Sequence, residues 1–259
     1  MHITSLPMRW GTGDNYCYVV KDDTTKEAAV IDPAYPDEVL PKVHSLVSAG
    51  DIKLTSIVNT HHHYDHSGGN PVFHATFPQL PVYAGKDSPL VSKVLEEGAT
   101  FRIGANVVAQ ALHTPCHTQD SICWFVTDEK TGQKALFSGD TLFICGCGRF
   151  FEGDANEMQA AMNKLGALPA STVVYPGHEY TSSNVKFAVQ VEPKNPDLLA
   201  LQRYCQENEV TTGKFTIGDE LKYNPFLRTN VESVQARLGT SSAVATMAKL
   251  RAGKDRGKL

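Results

Sequence analysis

Within six consecutive positions of THHHYDHSGGN (residues 60–70) stand four histidines and an aspartate, with two glycines close behind. Imidazole and carboxylate donors without thiolate suit zinc, iron(II) or manganese in a site that keeps positions open for water and substrate. In an extended segment alternate side chains share a side, so His61, His63 and Asp65 are expected to converge while His62 and Tyr64 face away. His66 breaks that alternation. Gly68 and Gly69 are expected to turn the backbone sharply into a helix starting near Asn70, with a second ion against Asp65 and His66. A lone histidine is usually an ordinary loop or core residue, but polar groups do not crowd without partners. Of the four, His62 is the one read as a non-ligand.

Such a cluster needs a scaffold, and the flanking sequence supplies one. Short runs rich in Val, Ile and Tyr predict strands at 15–21, 28–31 and 52–58,. Between the last two, Val39, Leu40, Val43, Leu46 and Val47 form one apolar stripe of a helix that begins near Pro36 and stops at Gly50. Strand, helix, strand is the grammar of a layered α/β domain. Further strands are predicted at 106–113, 121–127, 134–138 and 172–175, with a turn at 128–132 and a helix at 156–165. Beyond His178 the pattern becomes helical, with predicted helices at 198–207, 231–238 and 242–249. The expected organisation is therefore an α/β domain over residues 1–179 and a helical domain over 180–259.

The 259-residue chain carries a net charge of −4, and that balance gives no broad basic field for a nucleic-acid backbone,. No stretch approaches the roughly 20 apolar residues of a membrane span, and the first residues do not form a signal segment. The expectation is a soluble cytoplasmic monomer without nucleic-acid or membrane partners. Its six cysteines are scattered apart from one Cys145-Gly146-Cys147 triplet, which predicts free thiols in a reducing compartment,.

T-H-x-H-x-D-H resembles the metal-binding signature of hydrolases with the metallo-β-lactamase fold. The resemblance to the hydroxyacylglutathione hydrolase (glyoxalase II) family runs along nearly the whole chain. It is carried by TPCHT (114–118), SGDTLF (138–143), GCGRFFEG (146–153), YPGHEYT (175–181) and YNPF (223–226). It implies an αββα sandwich with a C-terminal helical domain, and two divalent ions, zinc before iron or manganese. One ion would be held by His61, His63 and His117, the other by Asp65, His66 and His178, with Asp140 bridging. Asp32 is expected either to accept from a ligand imidazole or simply to form a turn before Pro33.

The chemistry implied is thioester hydrolysis of S-2-hydroxyacylglutathione, typically S-D-lactoylglutathione, as the second step of methylglyoxal detoxification. Two close ions lower the pKa of a shared water to about 7 and so provide hydroxide as nucleophile, with Asp65 and Asp140 holding the ions. A thiolate leaving group, with a conjugate acid near pKa 8.5, needs no strong general acid. The resemblance assigns the substrate's carboxylates to Arg149, Tyr180, Arg251 and Lys254, the last two in the family's R-x-x-K-D pattern. Arg149 and Phe151 replace the Lys and Tyr of animal members, which makes the chain similar to yeast-type members. Arg149 retains the charge, whereas Phe151 cannot donate a hydrogen bond. The rivals are a persulfide dioxygenase with a single iron and an RNA-processing nuclease of the same fold.

Overall fold

The computed structural model describes residues 1–259, which divide into two compact units: Met1–His113 with Asp120–Gly139, and Thr114–Gln119 with Asp140–Leu259. The boundary expected at residue 180 divides the chain by element type and falls inside the second unit.

In the first unit one sheet runs β1 (His2–Met8), β2 (Asn15–Lys21), β3 (Glu27–Ile31), β4 (Lys53–Val58) and β5 (Val82–Tyr83), in that order. β1, β2 and β3 pair antiparallel, and β3, β4 and β5 pair parallel. Parallel neighbours require a crossover. α1 (Pro36–Ser48) supplies the first, and the short helices α2 (Tyr64–Ser67) and α3 (Asn70–Thr76) supply the second. Val39 and Val43 of α1 and Phe73 of α3 enter one core with Val30, Leu54 and Ile57. That covering explains why β3 and the end of β4 read as continuous apolar runs.

The second sheet of this unit, β6 (Thr100–Ile103), β7 (Val107–His113), β8 (Ile122–Asp128) and β9 (Lys134–Gly139), is an antiparallel meander. Rings fill the space between the two sheets: Tyr83 stacks on Phe101 and Tyr18 lies against Phe137. The fully buried Trp124 donates its Nε1–H to the Asn59 carbonyl at 2.9 Å, and the Ile122 amide donates to the Thr60 carbonyl at 2.8 Å. The second sheet thereby pins the segment where β4 ends and the histidine cluster begins.

The second unit holds a small hairpin, β10 (Leu142–Phe143) and β11 (Gly146–Cys147), the helix α4 (Ala155–Gly166) and the strand β12 (Val173–Pro176). Five helices follow: α5 (Thr181–Val191), α6 (Pro196–Glu207), α7 (Ile217–Tyr223), α8 (Glu232–Leu238) and α9 (Ala243–Asp255). Asp154 starts α4 by accepting from the Asn156 and Glu157 amides, with Glu157 reciprocating as a capping box,. α4 packs on α9, and α5 on α6.

Several elements were not predicted. β1 carries Pro7 and is an edge strand without clean alternation, and α5 begins TSS without a side-chain cap,. The largest departure lies in the histidine cluster itself. Residues 64–67 are helical rather than extended, so Asp65 and His66 are presented by a helical turn. Gly68 and Gly69 have ordinary right-handed φ values of −63° and −83°, so no left-handed turn requires them. Their requirement is space: a Cβ on Gly69 would land on the Pro33 carbonyl oxygen.

Candidate metal centre

β4 delivers the buried Asn59, Thr60 and His61 to the end of the first sheet. His61 Nε2 and His63 Nδ1 lie 3.1 Å apart. Two donors on one tetrahedral ion, each about 2.0–2.1 Å from it, are separated by about 3.4 Å, so this spacing fits a shared ion. His66 Nδ1 donates to Asp32 Oδ2 at 2.9 Å, which leaves Nε2 as the lone-pair nitrogen, 3.9 Å from Asp65 Oδ2. Asp65 is steadied by Asn15, whose Nδ2 donates to its Oδ2 and its carbonyl, each at 3.1 Å. His62 turns to Asp120, Nδ1 to Oδ1 at 2.8 Å.

The second unit holds His117, Asp140 and His178. Asp140 Oδ2 lies 3.5 Å from His117 Nε2 and 3.4 Å from His178 Nε2. Charge-assisted hydrogen bonds are shorter, about 2.7–2.9 Å. The separations are those of neighbouring ligands, with one carboxylate oxygen between two imidazoles. His117 Nδ1 donates to the Arg149 carbonyl at 3.0 Å, which fixes the tautomer and leaves Nε2 as the lone-pair nitrogen,. Gly148 makes that approach possible, since a Cβ there would land on the Asp140 carbonyl oxygen and lie 3.0 Å from His117 Nδ1. The donor set therefore suits divalent ions on both units. The cysteines do not compete: burial raises Cys145 well above its ordinary value and pushes Cys147 up to about 11, which keeps both as thiols,.

Arg149, Phe151, Arg251, Ala252 and Asp255 line a cleft of about 560 Å³ in the second unit. Arg149 is exposed, with its Nε 3.5 Å from Asp255 Oδ1. Phe151 is 59% exposed, its ring tilted against His117. The Tyr180 ring stacks on His178 at 4.5 Å and meets Phe143 edge-on. Lys254 is half buried, and burial and then the Arg251 charge lower its pKa. Arg251 differs from the other expected contacts in being only 6% exposed. A larger cleft of about 740 Å³ beside Glu192 and Arg228 contains none of the expected residues.

Sequence reasoning did not single out Asn15, Asp120, Asn184 or Glu220, whose roles depend on partners 40 or more residues away. Asn224 stood in plain view within YNPF, where its Nδ2 reaches the Gly146 carbonyl at 3.1 Å.

Comparison with known proteins places relatives at both ends of the chain. Residues 10–178 match the family model of the metallo-beta-lactamase superfamily, and residues 179–257 match that of the hydroxyacylglutathione hydrolase C-terminus. The chain is 49% identical to a probable hydroxyacylglutathione hydrolase of Schizosaccharomyces pombe, over 96% of each chain. It is 42% identical to the cytoplasmic isozyme of hydroxyacylglutathione hydrolase from Saccharomyces cerevisiae, over 99% of this chain and all of that one. Among solved structures, ETHE1 from Myxococcus xanthus is 25% identical with a TM-score of 0.66, covering 99% of this chain and 100% of that chain. A metallo-beta-lactamase from Staphylococcus aureus, at 22% identity and a TM-score of 0.67, covers 97% of this chain and 71% of that chain and shares the fold.

Proposed function

We infer the function from one premise: the chain belongs to the hydroxyacylglutathione hydrolases of the metallo-β-lactamase superfamily. It has that superfamily's fold with a C-terminal helical segment, and it is a metal-dependent thioester hydrolase. We propose S-2-hydroxyacylglutathione, typically S-D-lactoylglutathione, as its substrate, and glutathione and the 2-hydroxy acid as products. The cytoplasm is the proposed compartment; no helix is long and apolar enough to cross a membrane. Residues 1–179 are proposed as the catalytic domain and 180–259 as the substrate-binding domain.

One ion is assigned to His61, His63 and His117, the other to Asp65, His66 and His178, with Asp140 between them. Zinc suits this imidazole and carboxylate set, as do iron and manganese. When bound, such ions supply Lewis acidity and bring the pKa of water down to about 7. The protein's own part is orientation. Asp32 and the Arg149 carbonyl hold the far nitrogens of His66 and His117. Arg149, Tyr180, Arg251 and Lys254 offer charge and hydroxyl to the carboxylates and amides of the glutathione moiety, and Phe151 gives an apolar wall where a hydroxyl is absent. The leaving thiolate is stable enough to depart without a strong general acid.

The observation that carries this reading is the Asp140 oxygen set between His117 and His178 Nε2. Purified protein should release thiol from S-D-lactoylglutathione, lose that activity with a chelator and regain it with zinc. The reading fails if no metal-dependent thiol release exceeds background. Oxygen uptake with glutathione persulfide in its place would assign the dioxygenase activity instead.

A further inference from the structure

His178 and Tyr180 stack ring on ring, 12° from parallel, with a single residue between them in the chain. That residue, Glu179, is turned to the segment that joins α6 to α7. Its Oε2 accepts from the Thr211 amide at 2.7 Å and the Thr212 amide at 3.2 Å, and its Oε1 accepts from the Thr211 hydroxyl. A carboxylate only accepts, so the one hydrogen of that hydroxyl goes to Glu179. The Thr181 hydroxyl, 2.6 Å from that of Thr211, must then be the donor of their pair. A directed chain therefore runs from Thr181, where α5 begins, through Thr211 to Glu179.

The segment that receives Glu179 is itself fixed. The Gly213 amide donates to the Val174 carbonyl at 3.0 Å, the Val174 amide to the Phe215 carbonyl at 2.9 Å and the Ile217 amide to the Thr172 carbonyl at 2.9 Å, so it runs beside β12. Gly213 has φ 71°, and a Cβ there would lie 2.7 Å from the Tyr175 ring, so glycine is required for this approach,. On the other side of Tyr180, α5 is held by Asn184, whose Nδ2 donates to the Ile144 carbonyl at 2.9 Å. The chain thus leaves β12, passes His178 and is tied back through Glu179 to a segment anchored on the same strand. A loop carboxylate is ordinarily a solvated charge; three donors, two of them backbone amides, make this one an anchor.

We propose that Glu179 is a positioning residue for the metal centre. By closing this frame it fixes the backbone on both sides of His178, so that Nε2 keeps its place beside Asp140 Oδ2 and the Tyr180 ring stays on the imidazole. This rests on the metallohydrolase reading above, which assigns His178 to an ion. Glutamine keeps the shape and loses one acceptor: with its oxygen on the two backbone amides, its nitrogen faces the Thr211 hydroxyl, and the chain from Thr181 must reverse.

The test compares Glu179→Gln, Thr211→Val and their double variant with Arg228→Lys, which disturbs the ion pair to Glu192 in the same helical segment, away from His178. Metal held per chain after a timed chelator challenge is measured beside melting temperature and the kinetics on S-D-lactoylglutathione. Glu179→Gln should lose the ion assigned to His178 about 10-fold faster than wild type and lower kcat about 10-fold, the lower end for a group that orients a metal ligand. Thr211→Val should act in the same direction, and the double variant should fall short of the sum, since both substitutions cut one contact. Arg228→Lys should lower the melting temperature and keep wild-type metal retention and kcat. The proposal is overturned if metal loss follows melting temperature across all the variants, Arg228→Lys included, or if Glu179→Gln retains metal and turns over as wild type does. If Glu179→Gln does not fold, Thr211→Val is read by the same criteria. A wild type that holds metal without cleaving the thioester defeats the substrate reading alone, and metal retention still decides the role of Glu179; a wild type that holds no metal defeats both.

Discussion

Asp32 Oδ2 accepts from His66 Nδ1 at 2.9 Å, and the same carboxylate accepts from the Thr60 amide at 2.8 Å and the Thr60 hydroxyl at 2.7 Å. One side chain thus orients the His66 imidazole and ties down the residue before His61. Its backbone sits in the left-handed region at φ 51°, where Asn is also at ease,. Asp32→Asn therefore isolates the loss of charge and of one acceptor from any loss of the turn. The amide nitrogen must face either His66 or Thr60, donor against donor. We expect kcat/KM to fall about 10- to 100-fold and metal to be lost on dialysis. Activity within threefold of wild type would show that Asp32 is only a turn former.

Gly69 is required for a different reason from the one its sequence context suggests. A Cβ there would collide with the carbonyl oxygen of Pro33, in the turn that carries Asp32, and backbone cannot step aside as a flexible side chain can. Gly69→Ala should destabilise the fold by about 3 kcal/mol or more, at the upper end of overpacking effects. Gly166, at the end of α4, provides the control: its added Cβ would meet side chains no closer than 3.4 Å. Gly166→Ala should be neutral or stabilising by up to about 1 kcal/mol. Equal denaturation midpoints for the two variants would contradict the steric account.

The contrast marks what a linear reading reaches. Donor types at 61–66, the apolar runs of β3 and β4 and the stripe of α1 are local properties, so they were visible in the sequence. The helical turn at 64–67 was not, because it is settled by what packs around it; Ser67 Oγ, for example, donates back to the His62 carbonyl at 2.7 Å. Taken alone, Arg251 in R-x-x-K-D reads as a solvated helix end, and the family resemblance makes it a substrate contact. Its burial, with Nη1 on the Cys147 carbonyl, was not legible because that partner lies more than 100 residues away. Glu220 gave no local signal at all, since an acidic residue in DELK looks like helix surface.

Glu220 is fully buried, accepting from the Tyr223 hydroxyl at 2.7 Å, Asn224 Nδ2 at 2.8 Å and the Cys145 amide. Burial pushes its carboxyl up from the ordinary 4.5 to about 7, overcoming the three donors that favour the charged form,. Below about pH 4.5 both folded and unfolded chains hold the proton, and the shift contributes nothing. Between about pH 4.5 and 7 the unfolded chain has released it while the folded chain keeps it, so stability falls as pH rises. Above pH 7 both are ionised and the penalty levels off at roughly 3 kcal/mol, from 1.36 kcal/mol per unit. Glu220→Gln stays neutral, and the Tyr223 hydroxyl can turn to accept from its amide. In urea melts the stability of Glu220→Gln relative to wild type should therefore climb from pH 5 to pH 7.5 and then flatten. A difference independent of pH, or one that shrinks as pH rises, would mean that the buried carboxylate is ionised throughout and that its three donors outweigh burial.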